Sequence, residues 1–342
     1  MSMVETAVGM VPESDSQGWE LLLHYFSPVM QYYLDEAVTE IMVNRYDEIW
    51  IERGGHLERV DATFGTERAL QEFIYQVGNR LNQLVDEDNP ILDARFPDGS
   101  RLCCTLPTVT PGGSTITLRC KPRQSFTFED LVGFGALTPE MVDYIRERVQ
   151  AGDTMLVSGN TGSGKTTVLR ACAAFIDKRE RVISAEDTME LHLKQMLPGA
   201  VEHEAPKRRP KDGVQPVTLA SLIKLMLRER PDRGWVGEIR DASAADAFLQ
   251  LSNTGHTGGA SSLHANGPAD AVRRIQYMIA AAGLVSYELA GHQVLGGVQL
   301  LIHCARSYKW GRKVTHICRI EDEKIIPVYL FDEAELKHVR AG

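Results

Sequence analysis

The chain of 342 residues contains no Cys-x-x-Cys pair and no apolar run approaching the ~20 residues that a membrane-spanning helix needs. Its six cysteines are scattered, which argues against a zinc ribbon and is typical of a reducing compartment. The first residues include Glu5, Glu13 and Asp15 and no apolar stretch, so we predict no signal peptide. If the protein works at a membrane, we expect a partner to hold it there.

Positive charge is scarce in the first third of the chain. Residues 1–120 contain 8 Lys and Arg against 19 Asp and Glu, whereas residues 121–342 contain 29 against 27. Binding to nucleic-acid phosphates needs clustered cations, so the acidic first third argues against a nucleic-acid motor. The basic run Lys-Arg-Arg-Pro-Lys at 207–211 is the best support for such a motor, but a solvated loop also explains it. We expect no direct nucleic-acid binding.

The N-terminal region has the pattern of an α+β domain with an antiparallel sheet, over residues 17–120 after a flexible tail at 1–16. Residues 48–52 alternate polar and apolar side chains, which is the period of a half-buried strand. Residues 67–84 fit an amphipathic helix. The other elements predicted here are a helix over 19–34 that kinks or breaks at Pro28, a strand over 56–60 that completes a hairpin, and strands over 102–106 and 114–118.

Residues 121–136 are predicted to be a linker, and a second domain follows over residues 137–342. Thr138 and Pro139 are a helix N-cap followed by proline at the first helical position. Strands then alternate with helices, which predicts a mainly parallel sheet covered by helices. The predicted strands lie at 154–157, 181–185, 234–238, 259–264 and 298–304, and a closing antiparallel hairpin lies at 314–320 and 325–331.

Residues 159–166, Gly-Asn-Thr-Gly-Ser-Gly-Lys-Thr, match the phosphate-binding P-loop, with a predicted strand before them and a predicted helix after them. The glycines allow backbone N–H groups to face a polyphosphate at the helix N-terminus. Lys165 would reach the β- and γ-phosphates, and the Thr166 hydroxyl would bind Mg²⁺. The sequence therefore predicts a nucleoside triphosphate site. Its predicted nucleotide-binding residues are Gly159, Asn160, Thr161, Gly162, Ser163, Gly164, Lys165, Thr166 and Thr167.

Three further segments follow predicted strands at their carboxyl ends, where ligands bind in open α/β sheets. Glu186 and Asp187 end one strand, either as Mg²⁺ or water ligands or as acidic residues at a helix N-terminus. Glu238 ends another, with Gly237 where a second acid often stands. His264 follows a fourth strand, where a neutral imidazole can sense a γ-phosphate. The arginines near Glu238 suggest an anion site, contacts to a neighbouring subunit's nucleotide, or surface pairs; they are Arg228, Arg230, Arg233 and Arg240.

Four motifs in order, the P-loop, E-D-T, V-G-E-I-R-D and T-G-H…L-H-A-N, resemble those of the secretion ATPase superfamily. These are the hexameric traffic ATPases of type II secretion, type IV pili and type IV secretion or conjugation. The resemblance covers about residues 36–330 and includes three upstream segments, at 38–44, 99–101 and 115–119. The chain has no tetracysteine zinc module and a short N-terminal region, which leaves the type IV secretion and pilus-retraction branches. The forms T-G-H-T-G-G-A-S-S-L-H-A-N and L-R-C-K-P resemble the type IV secretion or conjugation branch more closely.

The resemblance implies a RecA-like P-loop ATPase domain that uses ATP and Mg²⁺ within a homo-hexamer. It implies that Glu238 is the Walker B acid, that Glu186 shares the metal or orients the attacking water, and that His264 couples the γ-phosphate to conformation. It also implies that Arg101 and Arg119 close the N-terminal domain on the nucleotide. Expected partners are inner-membrane components of a secretion or conjugation channel, which would hold this cytoplasmic protein at the inner face of that membrane. The sequence does not decide between Glu186 and Glu238 as general base. Two alternatives stay open: a pilus-retraction ATPase, and a nucleotide-gated docking platform with little turnover.

Overall fold

The computed structural model describes most of the chain and divides it into two compact units, the second of which begins at Phe126. The described residues are 22, 24–81, 83–96, 98–121, 126–206, 214–253 and 255–341. The predicted tail and the basic run at 207–211 lie outside them. Within these ranges, no helix combines the length and the apolar character needed to cross a membrane.

The first unit contains a six-stranded sheet with the strand order β3-β2-β1-β6-β5-β4, in which all neighbours are antiparallel. Its strands are β1 (Val38–Arg45), β2 (Glu48–Arg53), β3 (His56–Val60), β4 (Ile91–Arg95), β5 (Arg101–Thr105) and β6 (Thr115–Arg119). A 3-10 turn at Ser27–Val29 leads into helix α1 (Met30–Leu34), so the chain does break at Pro28. Thr66 is the N-cap of helix α2 (Glu67–Arg80), and its side chain accepts a hydrogen bond from Ala69 N.

Side chains alternate between the two faces of this sheet, and one face packs against the helices. Leu102 and Cys104 of β5 and Ile116 and Leu118 of β6 are buried in a core that includes the apolar residues of α2. The residues between them in sequence therefore point to the other face. The unit is the α+β domain with an antiparallel sheet that the alternation predicts.

The second unit is built on a nine-stranded sheet with the order β15-β14-β13-β12-β7-β11-β10-β8-β9. The six strands from β12 to β9 are mutually parallel, and β12 to β15 form an antiparallel extension. The strands are β7 (Met155–Gly159), β8 (Val182–Glu186), β9 (Val201–Glu204), β10 (Arg233–Glu238), β11 (Ala260–Leu263), β12 (Leu300–Ser307), β13 (Gly311–Glu321), β14 (Lys324–Asp332) and β15 (Lys337–Arg340).

Helices cover the parallel part of this sheet, and a buried apolar core lies on each side of it. They are α3 (Phe128–Gly133), α4 (Pro139–Gln150), α5 (Lys165–Cys172), α6 (Leu219–Met226), α7 (Ala242–Asn253), α8 (Pro268–Ala281) and α9 (Tyr287–Gly297), with 3-10 turns at Ala173–Phe175 and Leu193–Gln195. Thr138 caps α4 as predicted, since its side chain accepts a hydrogen bond from Met141 N. The predicted fold class, an antiparallel α+β domain followed by a RecA-like domain with a mainly parallel sheet, is confirmed.

The linker predicted over 121–136 is too long at its C-terminal end. Residues 128–133 form α3, which begins with a capping box between Thr127 and Asp130. Phe128 and Leu131 are buried in the core of the second unit, and the Phe128 ring stacks on Phe175 at 5.0 Å. Two anchoring apolar side chains therefore make this stretch part of the second unit. Residues 122–125 lie outside the described residues.

Candidate functional site

The P-loop connects the carboxyl end of the buried strand β7 to the first turn of α5. Gly159 has φ +152°, and a Cβ there would lie 2.1 Å from Cys304 O of the neighbouring strand, so only glycine fits. Gly164 has φ +98° at the N-cap of α5, where a left-handed conformation also favours glycine. Thr166 and Thr167 follow in the first turn of α5. The loop therefore has the conformation that its glycines predict, at a helix N-terminus.

Lys165, Glu238 and His264 meet beside this loop, although they are far apart in sequence. His264 Nε2 lies 3.0 Å from Glu238 Oε1, and its Nδ1 lies 3.5 Å from Lys165 Nζ. Lys165 Nζ is 3.9 Å from the same Glu238 oxygen. These contacts fit one neutral tautomer, in which His264 Nε2–H donates to the carboxylate and Nδ1 accepts from the ammonium. Burial and then the Lys165 ammonium lower the pKa of His264, which favours this neutral form.

Arg240 completes this cluster by donating to the second oxygen of the Glu238 carboxylate, with Nε at 2.7 Å from Oε2. Arg233 does not belong to it. It lies at the first residue of β10, is 4% exposed, pairs with Glu180 and donates to Val149 O. Arg233 and Arg240 therefore lie at opposite ends of β10, so the four arginines do not share one anion site.

Glu186 lies at the carboxyl end of β8, and its side chain is 1% exposed. Its Oε2 accepts hydrogen bonds from Glu190 N at 2.8 Å and Leu191 N at 3.1 Å. Its Oε1 has no hydrogen-bond partner within the described residues. Gly237 gives it room, because a Cβ at Gly237 would lie 2.9 Å from Glu186 Cγ. Burial raises the pKa of Glu186 to about 8, and the two N–H groups partly oppose this shift.

Glu190 is the functional candidate that the sequence analysis did not assign. Its Oε2 accepts a hydrogen bond of 3.2 Å from Thr166 Oγ1, the hydroxyl predicted to bind Mg²⁺. The segment that carries it is held by Glu186 on one side and by Glu204, which accepts from Met189 N at 3.0 Å, on the other. Its position as the third acid of Glu-Asp-Thr-Met-Glu is the sequence signal that could have identified it.

The donor set at the loop fits Mg²⁺ held mainly by a nucleotide. Mg²⁺ prefers oxygen ligands and usually takes only one or two protein groups together with phosphates and water. The Thr166 hydroxyl supplies such an oxygen beside the Glu190 carboxylate, and Glu238 Oε1 lies 3.9 Å from Lys165 Nζ. Within the described residues, no group of three His, Cys, Asp or Glu side chains forms a metal site of its own.

Arg101 and Arg119, the two arginines predicted to reach the nucleotide, lie in the first unit. They are directly opposite each other in the antiparallel pair of β5 and β6. Glu40 of β1 is the next residue across the sheet from Arg119. Burial raises the pKa of Glu40, and the charge of Arg119 opposes that rise. The two guanidinium groups thus come from one row on one face of the sheet.

A glycine-rich loop between a buried parallel strand and a helix, with acidic residues at the ends of neighbouring strands, defines a RecA-like P-loop domain. Comparison with known proteins narrows this class. The family model described as Type II/IV secretion system protein matches residues 24–318. The chain belongs to this family.

Curated relatives agree with the family, and a solved structure shares the fold. A putative conjugal transfer protein of Mycobacterium tuberculosis is 31% identical over 288 residues, which are 82% of this chain and 80% of that protein. The conjugal transfer protein TrbB of Rhizobium radiobacter is 32% identical over 291 residues, covering 84% and 85%. The ATPase DotB of Legionella pneumophila shares the fold, with a TM-score of 0.61 and 20% identity over 89% of this chain and 80% of that one. The predicted superfamily, with its type IV secretion and conjugation branch, is confirmed.

Proposed function

We propose that the chain is an ATP-hydrolysing motor subunit that powers a type IV secretion or conjugation machine. The observation that carries the proposal is the contact of Lys165, Glu238 and His264 beside a P-loop. A lysine ammonium, a carboxylate and a neutral imidazole at the N-terminus of a helix can bind a polyphosphate and respond to its terminal group. Membership of the secretion ATPase family and the conjugal transfer relatives support this choice of machine.

Binding of ATP would use the backbone N–H groups of residues 159–166, the Lys165 ammonium and the hydroxyls of Thr166 and Thr167. When bound, Mg²⁺ would neutralise phosphate charge next to the Thr166 hydroxyl. The buried hydroxyl of Ser163 has no hydrogen-bond partner within the described residues, so the loop keeps donors available. Lys165 would exchange its contacts with His264 and Glu238 for the terminal phosphates.

Hydrolysis needs a carboxylate that orients water. We assign this role to Glu190, because its carboxylate contacts the Thr166 hydroxyl while both oxygens of Glu238 are engaged by cationic or N–H donors. Glu186 then acts as a positioning residue, since it fixes the backbone of the segment that carries Glu190. Glu238 would hold His264 in its catalytic orientation.

Coupling to movement would begin at His264. Its Nδ1 accepts a hydrogen bond from Lys165. When a phosphate binds the Lys165 ammonium, Nδ1 would lose this donor and the imidazole would form a different hydrogen bond. Arg101 and Arg119 would add two charge-assisted contacts to the phosphates by a movement of the first unit, and loss of phosphate would release them. Repeated in a homo-hexamer, this movement would do work on inner-membrane channel components, with the protein at the cytoplasmic face of the membrane.

A steady-state ATPase assay with Glu238→Gln separates a motor from a nucleotide-gated docking platform. A motor should release phosphate repeatedly, and the variant should bind ATP but turn over slowly. Slow wild-type turnover that Glu238→Gln leaves unchanged would favour the docking platform. The genes beside this one distinguish the remaining alternative, since pilin and retraction components would favour a pilus-retraction ATPase.

A further inference from the structure

The second residue of strand β13, Arg312, contacts the P-loop through its side chain. Arg312 Nε donates a hydrogen bond of 2.8 Å to Gly162 O. A trans peptide is planar, so its C=O and the following N–H point in opposite directions and turn together. The direction of Gly162 O therefore determines the direction of Ser163 N–H.

Phosphate binding would change this peptide. In the structure, Ser163 N–H donates to Asn160 O at 3.2 Å, and Lys165 Nζ donates to the same oxygen at 3.2 Å. Both donors belong to groups that a P-loop turns toward phosphate. When Ser163 N–H turns to a phosphate, Gly162 O must turn with it, and the contact with Arg312 is strained or lost. The hydrogen bond between Arg312 and Gly162 should therefore depend on whether a phosphate occupies the loop.

The two residues after Arg312 bind a different segment. Lys313 Nζ donates to Gly135 O at 2.5 Å, and Val314 N donates to Ala136 O at 2.8 Å. Gly135 and Ala136 lie between α3 and α4, at the C-terminal end of the stretch predicted as a linker. Three consecutive residues of one strand therefore connect the P-loop to this segment.

We propose that Arg312 is a positioning residue that transmits P-loop occupancy through the start of β13 to residues 134–136. The proposal rests on the proposed function, because it needs a nucleotide in the loop. It adds a path from the loop to the turn between α3 and α4 within the second unit. An arginine that only stabilised the hairpin would not make the exchange of residues 134–136 depend on nucleotide.

Hydrogen exchange of the full chain, measured by mass spectrometry with and without a non-hydrolysable ATP analogue and Mg²⁺, tests the proposal. In the wild type, the analogue should slow exchange in peptides covering 159–166 and change it in peptides covering 134–137. Arg312→Gln should keep the first response and lose the second. Lys313→Met should also lose the second response, because it removes the side-chain contact to Gly135 O. The matched control is Arg319→Gln on the same strand, where Arg319 pairs with Glu321 at 2.6 Å; it should respond like the wild type.

The outcomes are distinguishable. If the analogue slows exchange at residues 159–166 in both the wild type and Arg312→Gln, and changes exchange at 134–137 equally in both, the proposed role of Arg312 is wrong. The assignment of the nucleotide site is unaffected by that result. The proposed role of Arg312 is also wrong if the analogue slows exchange at residues 159–166 of the wild type but leaves exchange at 134–137 unchanged. No protection of the loop by the analogue in the wild type would overturn the proposed function and, with it, this path.

Discussion

Replacing Glu186 with glutamine should leave most ATP hydrolysis intact, whereas replacing Glu190 with glutamine should reduce turnover about 100-fold or more, the contribution typical of a catalytic base. The Glu186 side chain is buried, and burial raises its pKa to about 8, so the folded protein holds it protonated at neutral pH. A glutamine has nearly the same shape as a protonated glutamate. Its carbonyl oxygen can accept from Glu190 N and Leu191 N in place of Oε2. Glu186→Ala removes that acceptor, and each N–H left unpaired costs about 1–3 kcal/mol.

The substitution Glu186→Gln should also change how the free energy of unfolding depends on pH. The carboxyl pKa of Glu186 is raised from 4.5 to about 8 in the folded protein. Between these values the unfolded chain releases a proton that the folded protein keeps, so the free energy of unfolding falls as pH rises. The slope is about 1.4 kcal/mol per pH unit. Glu186→Gln lacks this titration, and its stability relative to the wild type should therefore rise by up to about 4 kcal/mol from about pH 5 to about pH 8.

Urea unfolding at several pH values, together with steady-state phosphate release, measures both effects on the same proteins. Glu190→Gln is the matched control, because it removes a carboxylate from the same segment. An equal loss of stability by Glu186→Gln at every pH, together with ATP hydrolysis as slow as that of Glu190→Gln, would contradict this prediction. Glu186 would then be ionised and catalytic, as the sequence alone allowed.

Three further substitutions and one assembly measurement test the site, the movement of the first unit and the ring. Gly237→Ala should lower turnover at least about tenfold, because its Cβ would lie 2.9 Å from Glu186 Cγ and displace the acidic segment; wild-type phosphate release would contradict this packing. His264→Gln should lower kcat while ADP affinity, measured by calorimetry, stays near the wild-type value, since the imidazole is assigned to the terminal phosphate. Arg119→Ala should weaken the nucleotide-dependent change in distance between labels on the two units, and an unchanged response would remove this arginine from the mechanism. Light scattering with ATP analogue and Mg²⁺ should show a hexamer, and a monomer at micromolar concentration would count against the ring.

Much of the fold follows from local patterns. The strand–loop–helix around residues 154–172 was predictable because a short apolar run, a glycine-rich loop and a helical run follow one another. Thr138 and Pro139 marked the start of α4 through capping chemistry. The interior strand β1 was not predicted. The edge strands β4, β9 and β15 were not predicted either, since short half-exposed strands have little apolar periodicity. Helix α3 was missed for a similar reason, because only six residues form it and its stability comes from Phe128 and Leu131 in the core.

The site was predictable as a set of segments but not as contacts. Parallel strands bring their carboxyl ends to one edge, so the grouping of Lys165, Glu238 and His264 followed from the strand order implied by the motifs. Which of two acids in one short segment faces the loop depends on backbone turns after β8, and these have no periodic pattern. The structure therefore distinguishes Glu186, buried over Gly237, from Glu190 beside the loop. The role of Arg101 and Arg119 stays a prediction.

Steady-state phosphate release from ATP and Mg²⁺, by the full chain and by Lys165→Ala, tests whether residues 159–166 form the nucleotide site of an ATPase. Lys165 supplies the ammonium that contacts both Glu238 and His264, so its loss should reduce hydrolysis to background while circular dichroism shows a folded protein. Lys224→Ala, an exposed lysine on α6, is the matched control and should hydrolyse ATP like the wild type. Wild-type turnover by Lys165→Ala would contradict the assignment of the nucleotide site.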